Sequence, residues 1–267
     1  FKLSEWQDKL IDYYEQDYRP IYPESRYNEV ISFVKSGLKD LSISRTTFKW
    51  GIPVPNNKNH VMYVWIDALC NYLTAIGYPD INNSNFKKYW PGFHVVGKDI
   101  LRFHAVYWPA FLMAADLEPP KKIFAHGWWT NEGQKISKSL GNVIDPYEII
   151  NEYGLDQIRY FLFREVPFGK DGNFSKKSIS TRVNADLSNT YGNLIQRIAT
   201  FVVKNCDSKI IPYNNLTDKD RELEKIIQNT VVNYHHSMGE MLFDLSLKKI
   251  MGLLNEANAY VDSQAPW

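Results

Sequence analysis

Two short apolar segments on either side of a helical stretch restrict the fold of this chain more than any other feature. Residues 93–97 (FHVVG) and 121–129 (KKIFAHGWW) are rich in β-branched and aromatic side chains, which is typical of strands. The residues between them predict a helix over about 100–115. Its predicted aromatic face comprises Phe103, Tyr107 and Phe111. Strand, helix and strand at this spacing indicate a βαβ unit and therefore a parallel sheet.

Other patterns extend this α/β unit and then replace it with helices. Residues 3–40 predict two short helices joined by a turn, whereas 41–50 and 60–69 predict strands, the second a buried strand that feeds a helix. From residue 145 the pattern is mostly helical, with Asp145 as a candidate N-cap and a polar turn over 167–175. Thr217 and Asp220 resemble a capping box. The predicted order is an α/β unit followed by an all-helical one, with the boundary near Lys176.

Length and composition exclude several classes of protein. A chain of 267 residues predicts two packed units, and apolar and aromatic fractions of 44% and 15% exclude a disordered protein. The net charge of +1 means that nucleic-acid binding would depend on where charges lie, not on a basic field. Two distant cysteines, Cys70 and Cys206, predict buried free thiols with no zinc site and no disulfide framework. The sequence has no apolar run of membrane-spanning length and no signal peptide, so we expect an intracellular protein without a membrane partner.

The segment Gly133–Asn142, GQKISKSLGN, is the first candidate for chemistry because it places two lysines among serines and glycines. Lysine ammonium groups, serine hydroxyls and backbone N–H groups all donate hydrogen bonds to phosphate oxygens. After a strand of a parallel sheet, such a loop would lie at the carboxyl edge, where ligands of these folds bind. A KxxK pair alone is more often a solvated loop, so the phosphate hypothesis depends on the whole string.

That string, Lys-Ile-Ser-Lys-Ser at 135–139 followed by Leu-Gly-Asn, resembles the KMSKS signature of class I aminoacyl-tRNA synthetases, with isoleucine in place of methionine. Longer segments resemble the methionyl-tRNA synthetase family. They are GIPVP, HVMYVWIDALCNYLTAIGYP, FHVVGKDILRFHAVYWPAFLMAA, HGWWTNEGQKISKSLGNVIDP, REVPFGKDGNFS, NADLSNTYGNLIQR and QAPW. Within the class, VWIDAL and GKDILRFH favour methionine over another amino acid.

The resemblance implies a methionine–tRNA ligase of protein synthesis, which activates L-methionine with ATP and Mg²⁺ and transfers it to tRNA(Met). It places the following residues around methionine: Arg45, Trp65, Ala68, Leu69, Tyr72, Ile100 and His104. Around ATP it places Gly97, Asp99, Trp129, Lys135, Ser137 and Lys138. Lys138 and, secondarily, Lys135 are the implied catalytic residues, and Asn193 and Arg197 the implied anticodon contacts. No protein metal ligands are implied.

Ordinary chemistry agrees with part of this assignment and leaves part of it open. A thioether packs well against ring edges, so an aromatic pocket suits methionine. A histidine on an apolar face needs a partner, which makes His104 a stronger candidate than Ala68 or Leu69, for which a core position is the better interpretation. Arg45 fits a surface ion pair nearly as well as a ligand contact, and Asn193 and Arg197 each fit a solvated helix position with packing partners about as well as an anticodon contact.

The implied fold is the C-terminal half of a Rossmann-like nucleotide-binding α/β domain followed by an all-helical anticodon-binding domain. Its segments are the end of a connective insertion with a helical link (1–40), the catalytic half with the lysine segment (41–145), a connecting stem-contact segment (146–176) and part of the anticodon-binding domain (177–267). The family's His-x-Gly-His motif does not occur, and neither end of the sequence resembles a natural terminus, so we expect an N-terminally truncated fragment that is inactive alone.

Two alternatives to this enzyme stay open from the sequence. One is a non-catalytic tRNA-binding or regulatory module that keeps the lysine segment and the helices, and the other is a class I synthetase for another amino acid. The expected location is the cytoplasm, with an organelle as the alternative. The sequence predicts no oligomeric state.

Overall fold

The computed structural model describes residues 1–210, 212 and 215–267, which form two compact units, Phe1–Gly127 and Trp128–Trp267. The strands of the first unit are β1 (Ile21–Tyr22), β2 (Ser44–Arg45), β3 (Pro53–Val54), β4 (Asn57–Met62), β5 (Phe93–Gly97) and β6 (Lys122–His126). Its α-helices are α1 (Gln7–Tyr14), α2 (Glu24–Lys35), α3 (Val64–Thr74), α4 (Ser84–Tyr89) and α5 (Trp108–Ala114). The predicted pair of helices before residue 40 is confirmed as α1 and α2.

A parallel sheet in the order β1-β6-β5 organises the first unit. Strands β5 and β6 pair in parallel from Phe93 opposite Lys122 to Gly97 opposite His126, and a helical connection joins them, which confirms the predicted βαβ unit. This connection passes through a 3-10 turn (Lys98–Ile100), a π-helical turn (Phe103–Tyr107) and α5.

The predicted aromatic face of this connecting helix is present, but it is only half-buried. The rings of Phe103 and Tyr107 meet with centroids 5.6 Å apart, and Phe103, Tyr107 and Phe111 are each half-buried. The side chains of the connection that are buried are Leu101, His104, Ala105, Val106, Trp108, Pro109, Ala110 and Leu112. The sequence did not reveal the π-helical turn, whose i to i+5 bonds depart from the 3.6-residue period.

A separate antiparallel sheet, in the order β2-β4-β3, precedes α3. The sequence predicted a buried strand over 60–69 that feeds a helix. The strand and the helix after it are confirmed, but the strand lies earlier and is mostly exposed. Strand β4 ends at Met62, begins with exposed polar residues and has Val61 as its buried side chain, while α3 begins at Val64. The other predicted strand, over 41–50, is reduced to the two residues of β2. Short exposed strands of this kind offer little apolar alternation for a sequence pattern to detect.

The second unit combines a small mixed sheet with helices. Its strands are β7 (Trp129–Asn131), β8 (Gln134–Lys135) and β9 (Gly172–Phe174), and its α-helices are α6 (Pro146–Tyr153), α7 (Leu155–Arg164), α8 (Lys176–Arg182), α9 (Asn193–Asn205), α10 (Asp218–Gly239) and α11 (Phe243–Gln264). Strand β7 pairs antiparallel with β8 and parallel with β9. The predicted polar turn over 167–175 therefore contains a strand, β9. The sequence pattern did not reveal it, because β9 has three residues and only one apolar side chain.

Local capping chemistry explains where the helices of this unit begin. Asp145 accepts a hydrogen bond from the Tyr147 backbone N–H at 2.8 Å, with Pro146 at the first position of α6. Thr217 and Asp220 form the reciprocal bonds of a capping box at the start of α10. Both caps confirm their predictions. Between α8 and α9 the chain stays helical through a π-helical segment, Val183–Gly192.

Two further findings concern membrane-spanning helices and the cysteines. None of the helices described for residues 1–210, 212 and 215–267 is both long and apolar enough to cross a membrane. Cys70 is exposed and Cys206 half-buried, so the prediction of two buried thiols is wrong.

Candidate active site

A cluster of aromatic rings lies between α3 and the helical connection of the first unit. Trp65 stacks on Phe103 with ring centroids 3.9 Å apart and planes at 9°. The His104 ring meets Trp65 and Tyr72 nearly edge-on, at 5.9 Å and 5.6 Å between centroids. We call Trp65, Tyr72, His94, Phe103, His104 and Trp108 the ring cluster.

Hydrogen bonds fix the protonation of His104 within this cluster. Its Nδ1 lies 2.9 Å from the carbonyl oxygen of Ile100, and its Nε2 lies 2.9 Å from the Tyr72 hydroxyl. A carbonyl oxygen only accepts, so Nδ1 carries the proton, and Nε2 accepts from Tyr72. Burial lowers the pKa of His104, which favours this neutral form. The partner that the sequence predicted for this imidazole is thus present.

His94 is a second histidine in the ring cluster, and the sequence reasoning missed it. Its Nε2 accepts from the Trp108 indole N–H at 3.2 Å, and its ring lies 4.3 Å from that of Tyr72. Burial, and secondarily the neighbouring His104, lower the pKa of His94 to about 4. Alternation along β5 could have identified it, because His94 shares an inward face with Val96 while Phe93 and Val95 are exposed. Because the pKa values of His94 and His104 are both lowered, the ring cluster is uncharged at neutral pH.

The remaining predicted methionine residues do not all join the ring cluster. Leu69 is fully buried with Leu73, Trp108 and Leu112, and it presents no surface to a ligand. Ala68 is exposed and lines a shallow cavity of about 370 Å³. The sequence placed Ala68, Leu69 and Tyr72 on one ligand-facing helical surface, but the structure separates the first two by burial.

Arg45 lines a different cavity of the first unit, of about 920 Å³. Its guanidinium lies 4.0 Å from the Tyr63 ring centroid, and its Nη1 donates to the carbonyl oxygens of Ser42 at 3.1 Å and Ser44 at 2.9 Å. The cavity is also lined by Phe48, Lys49, Trp50, Gly51, Ile52, Met62, Val64 and Asp67. The arginine is thus held by stacking and by backbone carbonyls, and it faces a partly apolar space.

Gly97 and Asp99 lie at the carboxyl end of β5, the edge at which ligands of parallel α/β sheets bind. A Cβ atom at Gly97 would lie only 2.6 Å from Oδ1 of Asp99. Glycine therefore lets the Asp99 carboxylate fold back against the strand end, where it stays exposed. This carboxylate can accept hydrogen bonds from the hydroxyls of a ligand.

The predicted lysine segment of the second unit begins in a hairpin. Glu132 and Gly133 connect β7 to β8 with φ of 48° and 79°, the left-handed pair that suits a two-residue hairpin turn. We call Lys135–Asn142 the lysine loop. It includes a 3-10 turn over Lys138–Leu140. The prediction that it follows a parallel strand is wrong, because β8 is antiparallel to β7.

Both lysines of this loop are exposed, as a phosphate-binding group requires. The Lys135 ammonium lies 5.7 Å from the Trp128 ring centroid. The Ser137 hydroxyl accepts from the Ser139 backbone N–H and lies 2.7 Å from the Ser139 hydroxyl. The loop thus presents two cationic groups and two hydroxyls to solvent.

The side chain of Trp129, a residue that the resemblance places around ATP, belongs to the core of the second unit. Its ring packs against Phe161 and Phe174, with centroids at 5.7 Å and 6.3 Å. A Cβ at Gly172, its partner on β9, would lie 2.6 Å from that ring, so glycine permits the packing. Because the ring is packed in this core, any contact of Trp129 with a nucleotide would use the backbone.

A third cavity, of about 660 Å³, is lined by both predicted anticodon residues, Asn193 and Arg197 of α9. The Arg197 guanidinium forms an ion pair with Asp262 and lies 5.7 Å from the exposed Trp267 ring. Sequence reasoning noticed the final Gln-Ala-Pro-Trp only as part of a family resemblance, and it assigned Trp267 no role. An exposed indole beside an arginine and an amide offers stacking and hydrogen bonding together.

Comparison with known proteins identifies the family. A model of the family described as tRNA synthetases class I (M) matches residues 1–199. The chain therefore belongs to the class I tRNA synthetases. Within that class it belongs to the M family, which confirms the resemblance predicted from the sequence.

Individual relatives agree with this family. Over the whole chain, it is 58% and 59% identical to the methionine–tRNA ligases of Rickettsia conorii and Rickettsia felis, and 53% identical to that of Brucella suis. The chain spans about half the length of these curated relatives, 53% for the Rickettsia proteins and 52% for the Brucella protein.

Solved structures agree on the fold. A Mycobacterium tuberculosis methionyl-tRNA synthetase in complex with methionyl-adenylate matches all of this chain and 53% of its own, at TM-score 0.93 and 49% identity. The apo form of that protein matches at TM-score 0.90 and 47% identity, over all of this chain and 52% of its own. The predicted mixed α/β fold is confirmed.

Proposed function

We propose that this chain is part of a methionine–tRNA ligase that activates L-methionine with ATP and transfers the methionyl group to tRNA(Met). The observation that carries the proposal is the likeness of the whole chain to a synthetase that holds methionyl-adenylate. We infer that residues 41–145 form the C-terminal half of the Rossmann-like catalytic domain, after a helical link over 1–40. In the same proposal, 146–176 connect this half to an anticodon-binding domain that begins at 177.

The ring cluster supplies the chemistry for the methionine side chain. Trp65, Tyr72 and His104 present ring edges and faces, against which a polarisable thioether packs favourably. His104 is neutral and its two nitrogens already have partners, so an uncharged side chain leaves no polar group unsatisfied. Arg45, in its own cavity, supplies the positive charge suited to the carboxylate of the amino acid.

Activation requires groups that hold ATP and stabilise charge. A carboxylate oxygen of methionine attacks the α-phosphorus, the bond from phosphorus to the pyrophosphate oxygen breaks, and no covalent enzyme intermediate forms. Lys138, with Lys135 and Ser137, stabilises the charge that develops on the phosphate oxygens. Asp99 accepts from the ribose hydroxyls beside Gly97, and Trp129 offers its backbone near the adenine.

Mg²⁺ is the expected companion of ATP in this reaction. Among the residues that the structure describes, no group of three histidine, cysteine or acidic side chains is placed to hold a metal ion. Mg²⁺ in this proposal keeps several waters and binds mainly through the phosphates of the substrate. When bound, it supplies further neutralisation of phosphate charge.

Recognition of tRNA(Met) is assigned to the third cavity. Asn193 offers an amide for the edge of an unstacked base, Arg197 a guanidinium, and Trp267 a ring face for stacking. We expect Trp267→Ala to weaken tRNA(Met) binding by about fivefold or more, since base stacking on an aromatic ring contributes about 1–3 kcal/mol.

Methionine-dependent exchange of pyrophosphate into ATP tests the activity. We expect none from residues 1–267 alone, because their sequence contains no His-x-Gly-His motif. The coding sequence upstream of Phe1 is then read and, where it encodes that motif, the longer protein is assayed. There we expect exchange, and Lys138→Ala should lower kcat by about 10²-fold or more. Retained tRNA binding without any exchange in the longer protein would instead support a non-catalytic tRNA-binding module.

A further inference from the structure

A single side-chain amide joins the two ends of the lysine loop. The Oδ1 atom of Asn142 accepts from the Ser137 backbone N–H at 2.8 Å, and its Nδ2 donates to the Lys135 carbonyl oxygen at 3.0 Å. The Asn142 carbonyl oxygen in turn accepts from Nδ2 of Asn131, on β7, at 2.8 Å. The last residue of the loop is therefore tied to its first residue and to the neighbouring strand.

Burial does little to hold the middle of this loop, so hydrogen bonds restrain it, among them the two bonds of the Asn142 amide. Lys135, Lys138 and Ser139 are exposed, and Leu140 is 61% exposed. Lys138 directly follows Ser137, the residue whose N–H is bound by Asn142. A segment with few buried apolar contacts opens locally at low free energy unless hydrogen bonds oppose it.

We propose that Asn142 is a positioning residue, whose amide closes the lysine loop and so sets where the Lys138 ammonium stands for phosphate. The choice of phosphate as the ligand rests on the proposed function. The closure itself rests on the geometry of the loop, so the two are tested separately. The bridge needs both halves of the amide, because one end of the loop offers an N–H and the other a carbonyl oxygen.

A second asparagine, Asn173 on β9, provides a matched control. Oδ1 of Asn173 accepts from the Gly133 backbone N–H at 2.6 Å and from the Thr130 hydroxyl at 3.1 Å. Both bonds use an oxygen, so a carboxylate at this position preserves them. At Asn142 a carboxylate keeps the bond from the Ser137 N–H but loses the bond to the Lys135 carbonyl oxygen, because it places a second acceptor opposite that oxygen. Asn142→Asp and Asn173→Asp therefore add the same charge to the same unit but differ in the hydrogen bonds that they break.

Limited trypsin digestion at pH 8 reports on closure, because trypsin cleaves after Lys135 and Lys138. In the full chain we expect Asn142→Asp and Asn142→Ala to speed cleavage at these two sites by about five- to tenfold, and Asn173→Asp to stay within about twofold of the unsubstituted chain. Unfolding midpoints should be the same for all four proteins, which marks the change as local. Equal cleavage rates in the Asn142 variants and the unsubstituted chain would overturn the inference.

Binding of inorganic pyrophosphate, measured by calorimetry, tests the consequence for Lys138. We expect Asn142→Asp to weaken binding by about fivefold or more relative to Asn173→Asp, which carries the same added charge. Faster cleavage with equal pyrophosphate affinity in the two variants would overturn the positioning role. No pyrophosphate binding by the unsubstituted chain would count against the phosphate role in the proposed function, while the cleavage rates would still decide whether Asn142 closes the loop.

Discussion

The ring cluster and the lysine loop hold their functional groups in opposite ways. In the cluster, His104 is 2% exposed and His94 6%, and both are fixed by packing and by hydrogen bonds to other cluster members. In the loop, Lys135 and Lys138 are exposed, and the Asn142 amide joins the two ends of the backbone. Substitutions in the cluster should therefore change the stability of the fold, whereas those in the loop should change local opening and ligand binding and leave the stability of the fold unchanged.

The largest expected effect is that of Trp108→Ala in the ring cluster. Trp108 is 2% exposed and packs with Leu69, Leu73 and Leu112, so its truncation leaves a cavity and removes the hydrogen bond to His94. We expect a loss of about 3–5 kcal/mol in the free energy of unfolding, measured with denaturant. Trp50→Ala is the control, since Trp50 is 90% exposed and its removal should cost less than about 0.5 kcal/mol. Similar losses for both tryptophans would contradict the comparison.

The next effect is a dependence of stability on pH that arises from His94. The unfolded chain protonates this imidazole below its ordinary pKa of 6.5, whereas the folded protein resists protonation until pH falls to about 4. The unfolded state therefore binds more protons in this window, and stability falls as pH drops through it. We expect this effect of His94 to lower the free energy of unfolding by about 3 kcal/mol at pH 4.

Denaturant unfolding at pH 7 and at pH 4.5 measures this slope in the parent protein and in His94→Gln, which keeps an acceptor for Trp108. The variant should show a flatter dependence. An equal slope in both proteins would mean that His94 is not the group responsible. The pKa of His104 is lowered as well, so stability should still fall with pH in the His94→Gln variant, but less steeply than in the parent protein.

A smaller loss is expected from Tyr72→Phe, which removes a hydroxyl and leaves the ring. The buried Nε2 of His104 then has no donor, at a cost of about 1–2 kcal/mol in unfolding free energy. Calorimetric titration with L-methionine should show weaker binding as well, since the imidazole loses its fixed orientation. Unchanged stability would mean that solvent replaces the tyrosine at His104.

The smallest effect on stability belongs to Lys138→Ala in the lysine loop. We expect a change within about 0.5 kcal/mol, because an exposed side chain contributes little to the fold. Affinity for pyrophosphate should nevertheless fall by about tenfold, since a charge-assisted hydrogen bond is lost. A stability loss comparable to that of Tyr72→Phe would remove the distinction between loop and cluster.

Sequence patterns succeeded where the determining interaction is local in the chain. The βαβ unit, the cap at Asp145 and the capping box at Thr217 each depend on neighbouring residues or on a short apolar period, and each was predicted correctly. Strand β9 was missed because its partner, β7, is distant in sequence. The burial of β4 was predicted wrongly because a short strand that begins with exposed polar residues offers little apolar alternation. The same limit applies to the candidate site, where the partner of His104 was expected but His94 and Trp267 were overlooked.

By itself the sequence determined the class of fold, the family, and the chemical types gathered for the site: rings, two lysines among serines, and a carboxylate after a glycine. Tertiary structure alone decided that His94 accepts from Trp108, that Leu69 is core while Ala68 is exposed, and that Asn142 closes the lysine loop. The physical reason is range. Periodicity and capping act over a few residues, whereas burial, pKa and side-chain hydrogen bonds depend on which distant segments the fold brings into contact.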